Sequence, residues 1–95
     1  MSDRDTNLAQ AVLGRDADEF LRSELGRYLV ERARTEEQIA IDELCNAKPG
    51  DAALILELQG RIWRARALPD WLAELVQDGL NAERALQAEE YAAEQ

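Results

Sequence analysis

The sequence predicts an all-α domain built on an antiparallel helical hairpin, about residues 24–46 and 52–67, with shorter helices at both ends. Three observations predict it. Apolar residues recur at helical spacing along the chain, with no β-type alternation and no internal repeat. Only two prolines and five glycines interrupt 95 residues. The clearest break, "NAKPGD" (46–51), separates two long periodic stretches, and a short loop between long helices folds them back antiparallel. A chain this short is expected to be one small domain, 1–95, with ends (1–5 and 90–95) that fray.

The elements follow in order. Thr6 caps a short first helix through Leu13, which Gly14 ends. Asp16 with Glu19 three residues on reads as a capping-box start, and Phe20 and Leu21 give that turn an apolar side. Ser23 either restarts the helix or continues it. The first long helix runs from Glu24 to about Asn46. Leu25, Leu29, Ala33, Ala40 and Leu44 form its stripe, with Ile39 at the edge. Val30, Ile41 and Cys45 form a weaker ridge, and Arg32 and Glu36 interrupt the stripe at a spacing that lets them pair. Asp51 caps the second long helix, which extends from Ala52 to about Ala67. Pro69 lacks an N–H and clashes with the preceding turn, so a kink or stop is expected there. The pattern resumes at 71–78 with Leu72, Leu75 and Val76 on one face. Gly79 ends that helix, with Asn81 capping the next, or is simply traversed; the alanine- and glutamate-rich tail is helical by propensity.

The second long helix has an unusual wheel. At about 100° per residue, Leu54, Ile55, Leu58, Ile62 and Ala65 share one face. Leu56, Gly60, Trp63 and Ala67 share another, nearly opposite, at the 4, 3, 4 spacing of a helix seam. A helix apolar on two sides is sandwiched, within its chain or between chains. Few residues are left to cover both sides, so an exposed apolar surface that marks a partner or self-association is expected. The arginines of "GRIWRAR" (60–66) do not line up. Arg61 and Arg66 flank the first face on opposite sides, and Arg64 points elsewhere, whereas a nucleic-acid helix gathers its basic residues into one stripe. Glu57 is within reach of Arg61 four residues on.

Composition excludes several classes of function. Twenty acidic residues against eleven basic ones give a net charge of -9, a field that repels phosphate backbones and anionic lipid. Ten of the basic residues are arginine, with Lys48 the exception, which suits forked pairs with carboxylates. No segment approaches the roughly 20 apolar residues of a membrane span, and "MSDRDTNLAQ" does not read as a signal peptide. Neither nucleic acid nor membrane is therefore expected as a partner. Cys45 stands alone, so it forms no intrachain disulfide and no zinc cluster, and reads as a small buried apolar residue. The absence of histidine removes the usual general base, the usual metal ligand and histidine-based triads. Ser2, Thr6, Ser23 and Thr35 sit in no nucleophile motif, and the isolated glycines form no phosphate loop. "DRDTN" and "DADEF" lack the glycine and closing ligand of an EF-hand. The chain reads as a non-enzyme with no catalytic, cofactor-binding or metal residues and no cofactor.

Two stretches, "FLRSELGRYLVERA" (20–33) and "LQGRIWRARALPDWLAELVQDG" (58–79), resemble small helical proteins encoded by tailed bacteriophages and prophages. The matching pieces are Leu25-Gly26-Arg27-Tyr28, Leu58-Gln59 and Trp71-Leu72, covering about half the chain, and none is a catalytic motif. The family pattern runs an unbroken helix where this chain carries Pro69. The resemblance implies an accessory or structural part of the virion head or portal region, working in the host bacterial cytoplasm during assembly or in the virion itself. Its expected partner is another virion protein or a second copy, in a homo-oligomer or larger assembly. Leu56, Trp63, Arg64, Arg66 and Trp71 are the candidate contacts. A rival reading is a small acidic inhibitor or regulator of a host protein, of anti-defence or nucleic-acid-mimic type. Its acidic face would come from residue 67 onward, where seven acidic residues accompany one arginine.

Overall fold

Three α-helices carry the chain: α1 (Asp3–Arg22), α2 (Glu24–Asn46) and α3 (Ala52–Glu94). This computed structural model describes residues 3–94, and no strand forms among them. Residues 1, 2 and 95, the outermost part of the ends expected to fray, lie outside the described residues, as does Ser2. The helices form two compact units, α1 with α3 from Trp71 onward, and α2 with α3 up to Asp70.

In the α1·α3 unit, the inward row of α1 is Asn7, Ala11, Gly14, Asp18 and Leu21, all buried or half-buried. The 4, 3, 4, 3 spacing keeps one face on the partner helix. Leu72, Val76, Gly79, Glu83 and Leu86 form the facing row of α3 at the same spacing. Ion pairs Arg4–Glu89 (3.6 Å) and Arg15–Glu83 (2.8 Å) show the helices to be antiparallel. At the crossing the two backbones nearly touch. A Cβ on Gly14 would lie 2.7 Å from Gly79 Cα and 2.8 Å from the Leu75 carbonyl oxygen; a Cβ on Gly79 would lie 2.7 Å from Gly14 Cα. Neither glycine ends a helix, which corrects the expectation at Gly14 and selects the continuous alternative at Gly79. The missing side chains serve helix contact, and neither glycine adopts positive φ. Thr6, Asp16 and Asn81 likewise lie inside helices and cap none. Their local start signals are overridden by the continuous seam.

Ser23 interrupts the chain for one residue. Its N–H meets the carbonyls of Glu19 and Phe20 (both 3.1 Å), and its hydroxyl donates to the Phe20 carbonyl at 2.5 Å. These bonds occupy the last carbonyls of α1, as helix ends require.

In the α2·α3 unit, α2 spans Glu24–Asn46 as the sequence predicts. Its inward row is Gly26, Val30, Ala33, Glu37, Ala40 and Leu44. This row is rotated from the expected stripe, so Leu25 and Ile39 are exposed. Cys45 is also exposed rather than buried, because it sits about 100° beyond Leu44 on the wheel. The facing row of α3 is Leu54, Leu58, Arg61 and Ala65, with Leu58 and Ala40 both 0% exposed. Pairs Arg61–Glu43 (3.1 Å) and Arg66–Glu37 again set an antiparallel course. They replace the two expected pairs: Arg61 turns to Glu43 instead of Glu57, and Arg32 and Glu36 do not pair. The connection is a turn in which Asp51 N–H bonds the Lys48 carbonyl (2.9 Å), and the Asp51 carboxylate accepts from Leu54 N–H (3.2 Å), capping α3.

α3 then runs without interruption through Pro69 and Gly79. Proline removes the N–H that would bond the carbonyl four residues earlier, here that of Ala65. Ala65 and Pro69 together line a surface groove. Ala65 is half-buried in the α2·α3 unit and Leu72 in the α1·α3 unit. Packing thus overrides the local break signal at both positions.

Candidate functional site

The functional surface is best built from what the helix pairs fail to cover. Two antiparallel helices can bury only the stripe that each turns to the other. Among the described residues the buried apolar side chains are Ala11, Ala17, Ala40, Leu58 and Ala82, so Leu58 is the only large one there. Many large apolar side chains remain outside. The two most exposed are Leu56 (71%) and Trp63 (72%).

Both belong to the Leu56–Gly60–Trp63–Ala67 row. This row lies on the side of α3 away from α2, because Leu54, Leu58 and Ala65 occupy the opposite side. The row rises about 1.5 Å per residue and so runs for roughly 16 Å. Gly60 opens a notch in it: a Cβ there would meet only Arg64 Nη1, at 3.6 Å. Arg64 is exposed on the flank of the row and is unpaired among the described residues. Burying one leucine stabilises by roughly 1.5–3 kcal/mol, and tryptophan offers more area still. An uncovered row of this kind is therefore a surface that gains when something packs on it.

The five candidate contacts do not form one patch. Leu56 and Trp63 share the outer side of α3 in the α2·α3 unit, and Arg64 stands on its flank, where it also lines a groove with Arg32 and Glu36 of α2. Arg66 lies elsewhere, held by Glu37 of α2. Trp71 is exposed and belongs to the α1·α3 unit. Sequence reasoning missed Arg32, which is exposed and unpaired, and which shares a groove with Glu36, Arg61 and Arg64. Charge also divides between the units. From Trp71 onward and in α1, eleven carboxylates face four arginines; Glu24–Asp70 carries nine carboxylates and seven basic groups.

No group of acidic and cysteine side chains among the described residues could hold a metal ion. No helix among them is long and apolar enough to cross a membrane. No known family, curated protein or solved structure matches the chain.

Proposed function

We propose that this chain is a non-enzymatic protein–protein interaction protein whose contact surface is the outer row of α3. One observation carries the reading: Leu56 and Trp63 stand 71% and 72% exposed on a helix whose opposite row is half-buried, with Leu58 wholly buried. The resemblance at 20–33 and 58–79 supports a finer statement, an accessory or structural role in the head or portal region of a tailed-phage virion. Replacing Trp63 with alanine tests the interaction. Unchanged helicity by circular dichroism with loss of assembly by light scattering is the expected result. Parallel loss of both would return Trp63 to the core.

One observation favours a second reading. The α1·α3 unit carries a net charge of -7 from eleven carboxylates and four arginines, which suits an acidic inhibitor or regulator that binds a basic host protein. Mass spectrometry separates the two. Peptides of this chain in purified virions support the structural role; recovery only with a basic host protein supports the regulator.

A further inference from the structure

The outer row of α3 is self-complementary. Its spacing reads 4, 3, 4 from either end, and its side chains are Leu56, Gly60, Trp63 and Ala67. Lay this row antiparallel on its own copy, about a twofold axis midway between Arg61 and Ile62. Trp63 then falls opposite the second copy's Gly60, and Leu56 opposite its Ala67. Every large side chain meets a small one, so the two rows can interdigitate. No backbone closes the notch at Gly60: the one atom near a Cβ there is Nη1 of Arg64, one turn on in the same helix, at 3.6 Å, the end of a flexible side chain that can swing aside.

The flanking charges agree with this register. At about 100° per residue, Glu57 and Arg64 lie about 20° apart on one flank of α3. They are seven residues apart, roughly 10 Å along the axis, so they do not meet each other. Neither is paired among the described residues. In an antiparallel twofold pair, the same flank of each helix meets. Glu57 of one chain then stands within two residues of Arg64 of the other, and the pair forms twice.

Charge and exposure favour a second copy over other occupants. The α2·α3 unit carries a net charge of only -2, so two copies approach there with little repulsion. Leu56 and Trp63, the two most exposed large apolar side chains among the described residues, both lie on this row, so a second copy would cover both from each chain. We infer that the Leu56–Ala67 row is the seam of an antiparallel homodimer, with Trp63 seated over Gly60 of the second copy. The inference rests on the interaction reading above and names its partner.

The full chain is tested by sedimentation over a range of concentrations. A species of twice 10.7 kDa that dissociates on dilution is expected. Gly60→Leu fills the notch and should raise the dimer dissociation constant at least tenfold while helicity holds or rises. Glu57→Arg and Arg64→Glu should each weaken the dimer at least threefold, and their combination should restore it. That rescue requires the two residues to meet across chains. A wild-type chain that stays monomeric, or a dimer indifferent to Gly60→Leu and to the charge exchange, overturns the inference. A photo-cross-linking residue at position 63, activated in the producing cells, separates this failure from failure of the interaction reading. A product of twice the chain mass supports the homodimer. A product of another mass overturns the homodimer and leaves the interaction reading standing. No product overturns both.

Discussion

The two helix pairs close their seams by opposite means. The α2·α3 unit closes around a side chain: Leu58 is wholly buried, with Ala40. The α1·α3 unit closes by leaving side chains out. Gly14 and Gly79 bring the backbones together, and alanines at 11, 17 and 82 fill what remains. In one unit stability comes from mass present at the seam, in the other from mass absent. Substitutions at the two seams must therefore act in opposite directions.

The largest expected effect is in the α2·α3 unit. Leu58→Ala removes its one large buried side chain and should cost about 2–4 kcal/mol in urea denaturation. Leu56→Ala, two residues away on the outer row, should change the dilute chain by no more than about 0.5 kcal/mol. Similar costs at both positions would place Leu56 in a core and break the contrast between the faces of α3.

The mirror test uses two glycines of the same helix. Alanine favours a helix over glycine by about 1 kcal/mol. At Gly60 that gain should appear, because a Cβ there meets only the end of Arg64. At Gly79 the Cβ would press on Gly14 Cα at 2.7 Å, and backbone cannot turn aside. Overpacking of this kind costs about 1–3 kcal/mol. In the dilute, monomeric chain Gly79→Ala should thus lower the melting temperature while Gly60→Ala raises it. A rise at both would mean that the crossing relaxes without penalty.

These glycines also mark the limit of what was legible in the sequence. The bounds of α2, the Asp51 cap and the two-sided α3 followed from local chemistry and periodicity, and all three hold. Gly14 reads as a stop, and Gly79 stays open between stop and passage, because the sequence signal for a stop and for a close crossing is the same isolated residue. Only the facing helix distinguishes them. The available clue was that both glycines sit in rows of 3–4 spacing that continue past them. The outer row of α3 was legible for the converse reason, since two apolar faces on one helix require two covers. Arg66 was not legible as an engaged residue, because its partner Glu37 lies 29 residues away on α2.

The smallest effect compares the units by charge. Added salt acts on the α1·α3 unit in two ways. It weakens the pairs Arg4–Glu89, Arg15–Glu83 and Arg22–Asp18, partly exposed contacts that contribute at most about 0.2–1 kcal/mol each. It also screens repulsion among eleven carboxylates that four arginines leave at a net -7. Seven uncompensated charges on one helix pair lie within a few Debye lengths of each other, so relief of repulsion outweighs the loss of three surface pairs. The α2·α3 unit, at -2, has little repulsion to lose. Raising sodium chloride from 20 to 300 mM should therefore slow amide hydrogen exchange in α1 and the second half of α3 about two- to threefold, and leave α2 nearly unchanged. Faster exchange in α1 at high salt would show that its ion pairs, rather than its excess of carboxylates, set the balance in that unit.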